Sequence, residues 1–202
     1  MTTPELAPEA VLLSLAWIPP QTADEQMTNA PIIRPATPAD IPGITAIYRP
    51  AVLTGFATFE IDPPDEAEMA RRFASIIETG YPYLVAALDG RIAGYAYVNV
   101  YRSRPAYRST VENSIYIAED MQRRGVGKVF LNGLVAETGR RGFRQIIAVI
   151  GDSGNAGSIG LHRACGFLFS GVLHSTGFKL GRWLDSVLMQ LTVGEGDRTP
   201  PD

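Results

Sequence analysis

Seven consecutive residues, Gln122-Arg123-Arg124-Gly125-Val126-Gly127-Lys128, carry the densest chemical signal in the sequence. The apolar run Ser114-Ile115-Tyr116-Ile117 leads toward them, and a helical pattern to about residue 140 follows. They therefore read as a turn between a strand and the start of a helix. Glycines without a Cβ let backbone approach a ligand closely. The helix start behind them offers unpaired N–H groups and the positive end of a dipole, a ready seat for a pyrophosphate. Arg123, Arg124 and Lys128 add formal positive charge. Two better-known glycine motifs fail here. A P-loop needs glycine at 122 and Ser or Thr at 129, which are Gln and Val; a dinucleotide fingerprint needs a third glycine at 130, which is Phe.

Acid–base chemistry has few candidates. Glu112 sits inside the strand that precedes the turn, and alternation puts it on one face with Ser114 and Tyr116, opposite Val111, Asn113, Ile115 and Ile117. A carboxylate inside a sheet is costly to bury without a partner or a task. It is either a general base or the partner of Arg102, Arg104 or Arg108. His162, on a short helix further along, has the titration range for proton relay but would equally serve as a packed residue. Cys165 is the one cysteine. No disulfide framework is possible, no metal site is expected, and the run Arg163-Ala164-Cys165-Gly166-Phe167 reads as a packed helix end, not a nucleophile's setting.

The elements that must position these residues alternate along one domain. The chain has 202 residues, 46% hydrophobic and 19% charged, with net charge −3, a globular composition with no apolar run long enough to span a bilayer. Nine of the 18 basic residues fall between 102 and 144 against four acids, a local excess of five positive charges in a near-neutral domain. That suits a small anionic ligand and argues against nucleic acid or a membrane as partner. Strands are expected at 32–34, 83–88, 92–101, 110–117, 145–150, 169–178 and 183–191, with helices near 40–53, 65–79, 126–140 and 158–165. Asp40 is expected to cap the first helix, Gly80 to close the second, and Asp89-Gly90 to make a two-residue hairpin turn. The fold class is α/β, a mixed sheet packed with helices. Residues 1–30 are acidic, contain no Lys or Arg, and are expected to be a poorly ordered extension whose first 26 residues are dispensable. The domain spans 31–193, and 194–202 is expected to be a flexible tail.

The ordered set of motifs is recognisable. Gln122-x-x-Gly125-x-Gly127 after an apolar strand resembles the acetyl-CoA pyrophosphate loop of GNAT-fold N-acetyltransferases. Together with Thr110-Val111-Glu112-Asn113-Ser114-Ile115-Tyr116-Ile117, Ala148-Val149-Ile150-Gly151-Asp152, Asn155, Ser158-Ile159-Gly160-Leu161-His162, Cys165-Gly166-Phe167 and Gly177-Phe178-Lys179-Leu180-Gly181-Arg182-Trp183-Leu184-Asp185, it is similar to the phosphinothricin and methionine sulfoximine N-acetyltransferases. The likeness runs from about 33 to 191. It implies a mostly antiparallel central sheet flanked by helices, and transfer of acetyl from acetyl-CoA to the primary amine of a small amino acid or analogue. Another amine acceptor (a polyamine, a peptide N-terminus, an amine drug) or an acyl-CoA sensor without turnover are the alternatives.

The resemblance implies Glu112 as base and His162 near the thioester. Ile115, Tyr116 and Ile117, residues 122–128 (Gln122, Arg123, Arg124, Gly125, Val126, Gly127 and Lys128) and Asn155 would meet the cofactor. Phe59, Glu60, Arg102, Ser103, Arg104, Tyr107, Glu112, Asn113 and Ser114 would border the acceptor, where arginine's planar fork matches a carboxylate. It also implies a homodimer and a cytoplasmic enzyme.

Overall fold

A computed structural model describes residues 30–201. Seven strands form one sheet in the order β1 (Ile32–Pro35), β2 (Tyr83–Leu88), β3 (Arg91–Val100), β4 (Thr110–Ile117), β5 (Gln145–Gly151), β7 (Arg182–Thr192), β6 (Leu168–Lys179). Every pairing is antiparallel except β4 with β5. Helices α1 (Ile41–Leu53) and α2 (Glu66–Glu78) cover one face; α3 (Val126–Arg140) and α4 (Ala156–Ala164) cover the other. The expected extension, including its dispensable stretch, lies outside the described residues.

Local chemistry explains most element ends. Asp65 Oδ1 accepts the Glu68 N–H at 2.8 Å and starts α2, and Gly80 at φ +78° ends it. Asp89 and Gly90 both take positive φ, the backbone of a twist-matched two-residue hairpin, and leave Leu88 opposite Arg91. Asp40 corrects the expectation made for it. It stands at the N-cap of α1, yet its side chain does not cap that helix. Its carboxylate takes a two-pronged bond from Arg34 at 2.7 and 2.8 Å and accepts the Thr37 N–H and hydroxyl. A charged fork outcompetes a neutral amide for the same oxygens. The Arg34 guanidinium accordingly holds Asp40 down at about 2.

Arg144 bonds the Thr199 hydroxyl at 3.0 Å and the Gly196 and Pro200 carbonyls, and Arg108 bonds the Pro201 carbonyl, so 194–201 folds back beside the β3–β4 loop.

Two apolar clusters hold the layers. Val98, Val111, Phe130, Leu131, Leu134, Ile146 and Met189, all fully buried, fill the α3/α4 side. On the α1/α2 side Tyr83, Tyr95, Tyr97 and Tyr116 stack in a row across three strands, with Tyr48 edge-on to Tyr95 and Tyr116. Such a wall is rigid, and burial keeps its phenols neutral, Tyr48 being pushed up to about 12.

The feature that makes the site is where pairing stops. β4 and β5 pair only from Thr110↔Gln145 to Asn113↔Ala148. Beyond that, residues 114–117 stay with β3 and residues 149–151 stay with β7. The sheet splits into a V whose two inner edges carry backbone groups with no cross-strand partner.

Candidate active site

The V opens into a groove of about 580 Å³, a size that accommodates a sizeable ligand. Its floor is β4 at Ile115, Tyr116 and Ile117; its walls include Gln122, Arg123, Gly125, Gly127 and Lys128 on one side and Asn155, Ser158 and Leu161 on the other. The sequence-predicted cofactor residues are therefore brought together, with two refinements. Arg124 does not line the groove; it reaches toward the Met121 sulfur. Val126 is buried at 2% exposure, so only its backbone can serve a ligand.

The two glycines of the turn meet different demands within the protein. A Cβ at Gly125 would meet nothing within 4 Å; what demands glycine there is φ +79°, the left-handed conformation that ends one turn and starts α3. Arg123 also takes φ +60°. At Gly127 the demand is steric, because a Cβ would press Leu161 at 3.3 Å, and its absence lets α3 pack close to α4. Gln122 Nε2 bonds the Ile117 carbonyl at 3.3 Å and ties the turn to the end of β4. Asn155 lines the groove but spends its side chain on structure: Oδ1 accepts the Ser158 N–H at 3.1 Å and caps α4. Open N–H groups at a helix start, flanked by Arg123 and Lys128, fit a pyrophosphate-bearing cofactor.

The residues expected at the acceptor come from distant segments. Glu112, opposite Asn99 and Ile147, is half-buried. Among the described residues no cation forms an ion pair with it, and burial alone raises its carboxyl above the ordinary value. The pairing with Arg102, Arg104 or Arg108 does not form. Arg102 instead lies over the rings of Tyr101 and Tyr107, at 5.1 and 5.8 Å. Arg104 and Ser103 are exposed in the same loop, one turn of chain from Glu112. Phe59 presses on Gly177, whose missing Cβ leaves room for the ring. Glu60 is occupied by Arg72, which it meets at 2.6 Å.

Sequence reasoning passed over Lys179. It is buried to 4% exposure and donates to the Thr58 carbonyl at 2.8 Å and the Ala51 carbonyl at 3.4 Å, pinning the end of α1 to the loop that carries Phe59. It lay inside a quoted motif, but its partners are more than a hundred residues away. Cys165 is partly buried beside Lys128, and burial pushes its thiol up, away from thiolate chemistry.

His162 and Glu112 approach the split from opposite faces. Glu112 shares its face with Tyr116 and the tyrosine wall; His162, 2% exposed, lies on the α3/α4 side. Its Nδ1 is 2.8 Å from the Ser158 carbonyl and its Nε2 3.0 Å from Asn113 Nδ2, and its ring stands edge-on to Phe167. Burial holds the imidazole below its ordinary value.

Residues 33–188 match the acetyltransferase (GNAT) domain family. The chain belongs to the GNAT acetyltransferases. This GNAT chain is 53% identical over 163 residues to a phosphinothricin N-acetyltransferase of Alcaligenes faecalis, covering 81% of this chain and 83% of that one. It is 41% identical to an L-methionine sulfoximine/L-methionine sulfone acetyltransferase of Pseudomonas paraeruginosa, over 80% and 94%. The solved structure of a GNAT superfamily phosphinothricin acetyltransferase from Sinorhizobium meliloti, in complex with acetyl-CoA, superposes with a TM-score of 0.83 at 48% identity, over 86% of this chain and 94% of that one. The split β4–β5 pair and the glycine turn are thus those of an acetyltransferase. Among the described residues no helix is long and apolar enough to cross a membrane, and no three His, Cys, Asp or Glu side chains group to hold a metal ion.

Proposed function

We propose that this acetyltransferase moves the acetyl group of acetyl-CoA to the amino group of a small amino acid or analogue of the phosphinothricin and methionine sulfone kind. The observation that supports the reading is the juxtaposition at the split: an open-edged groove on one side, and on the other a half-buried Glu112 and a nearby loop whose Arg102 and Arg104, like Glu112, form no ion pair among the described residues.

In this reading Arg104 and Arg102, the latter braced by Tyr107, take the acceptor's carboxylate, and Phe59 closes over it. Ser103 and Ser114 border the same mouth. Glu112 accepts a proton from the ammonium, because a protonated amine has no lone pair to donate. The nitrogen then bonds the acyl carbon, the carbonyl oxygen draws on N–H groups along residues 115–117, and the C–S bond breaks with its electron pair leaving on sulfur, which takes up a proton. Residues 122–128, with Asn155, hold the cofactor's far end.

A homodimer fits the exposed apolar side chains of the β6–β7 hairpin, Leu168, Phe169, Leu173, Phe178, Leu180 and Trp183. Action in the cytoplasm fits dependence on acetyl-CoA.

The test is product identity. Incubated with acetyl-CoA and L-phosphinothricin or L-methionine sulfone, the protein releases one thiol per acceptor consumed, and mass spectrometry finds acetyl on the α-amino nitrogen. No acetylated amino acid, with turnover on spermidine instead, would overturn the acceptor class.

A further inference from the structure

At the point where β4 and β5 part company, a small chamber of about 50 Å³ continues the groove inward, lined by Asn113, residues 148–151, Ser158 and His162. Asn113 is 5% exposed, and its Oδ1 is the one fully buried side-chain polar atom among the described residues that has no hydrogen-bond partner. Buried acceptors are seldom left so.

The orientation of that amide is forced by its neighbour. The Ser158 carbonyl can only accept, so His162 Nδ1 must carry a proton. A neutral ring with hydrogen on Nδ1 has a bare lone pair at Nε2, and only a donor can face it. Asn113 must therefore turn Nδ2 toward His162, which leaves Oδ1 on the other side. Rotating the amide would set two lone pairs against each other. Burial, which disfavours the doubly protonated ring, keeps the arrangement in this state.

We propose that Asn113 and His162 act as one unit in which the ring, held as its Nδ1–H tautomer, fixes the Asn113 carboxamide so that Oδ1 accepts an N–H of the pantetheine arm of bound coenzyme A. The inference rests on reading the groove as the cofactor groove. The chamber shares Ala57, Ile115, Tyr116, Asn155 and Ser158 with that groove and does not include Glu112, which places the orphan acceptor on the cofactor side. The pantetheine arm carries two amide N–H groups; the nucleotide end of coenzyme A has no amide. His162 is then a positioning residue, acting through Asn113, and its Nε2 is not free to take a proton from the amine.

Calorimetry with two probes tests this: coenzyme A, and adenosine 3′,5′-bisphosphate, which lacks the arm. Asn113→Ala is expected to weaken coenzyme A about tenfold, the scale of one lost hydrogen bond, and leave the bisphosphate unchanged. His162→Phe is expected to weaken coenzyme A several-fold in the same selective way. In the wild-type protein, nitrogen NMR is expected to find His162 protonated at Nδ1 only, and the Asn113 carboxamide signal to move with coenzyme A but not with the bisphosphate. This last readout holds whether or not the variants fold. A folded Asn113→Ala protein binding coenzyme A within twofold of wild type, equal loss of both probes, or a proton on Nε2 would each overturn the inference. Wild-type protein that binds neither probe would sink the cofactor reading itself.

Discussion

The two sides of the split sheet are built by different means. On the proposed cofactor side, backbone frames the groove: open edges on β4 and β5, left-handed turns at Arg123 and Gly125, and the first amides of α3. On the proposed acceptor side, the side chains come from three separate stretches, and each has its own support. Phe59 leans on Gly177, its loop hangs on Lys179, Arg102 rests on two tyrosine rings, and Glu112 stands before the tyrosine wall. The contrast implies that cofactor binding tolerates side-chain changes along the loop and fails on backbone changes, whereas acceptor handling depends on single side chains.

The largest expected effect is at Glu112. Glu112→Gln is nearly isosteric and is expected to lower kcat by about 10²–10⁴-fold while coenzyme A affinity, read by calorimetry, stays at the wild-type value. The pH profile carries the same information. A base works deprotonated, and burial raises this carboxyl, so wild-type kcat/KM falls as pH drops through a midpoint above the ordinary glutamate value of about 4.3, and that limb disappears in the variant. Turnover within threefold of wild type across pH 6–9 would move the base elsewhere.

Next comes Arg104→Ala, expected to raise KM for an acceptor with a free carboxylate by about 10–100-fold, the loss of a charge-assisted hydrogen bond, and to spare its neutral methyl ester. Equal loss on acid and ester would show that this arginine reads no carboxylate. On the other side of the comparison, Gly125→Val forces a branched residue toward φ +79° and is expected to raise KM for acetyl-CoA about tenfold with KM for the amine unchanged.

How much of this was legible in the sequence follows the same division. Most of the proposed cofactor side lies within fourteen consecutive residues, where strand, turn and helix announce themselves by spacing, and Asp89-Gly90 declared its hairpin for the same reason. Even there a sequence shows that a Cβ is absent at Gly125 but not that the backbone turns left-handed at it. The acceptor side depends on pairings across the fold. Glu60 with Arg72 and Lys179 with Thr58 have no local signature, and neither does Asn113 with His162. Asp40 looked like a cap because the cap rule is local, while the competing Arg34 comes from β1 and the outcome turned on charge.

The smallest expected effect is remote from both sides. Asp40→Asn breaks the tie between β1 and α1 and is expected to lower Tm by about 2–4 °C at neutral pH, the shift that about 1 kcal/mol produces in a domain of this size. The sign follows from a carboxyl depressed in the folded state. Its stabilisation is present above its ordinary 3.8 and lost as pH falls toward about 2, so the gap between variant and wild type closes over that interval.

The central claim is that the acceptor side selects a small amino acid by its carboxylate and acetylates its amine. Initial rates of thiol release from acetyl-CoA, measured side by side for L-methionine sulfone, its methyl ester and spermidine, test it most directly. The account predicts the highest kcat/KM for the free acid, a fall of at least tenfold for the ester, and little turnover of spermidine. Equal rates for acid and ester, or a preference for spermidine, would contradict it.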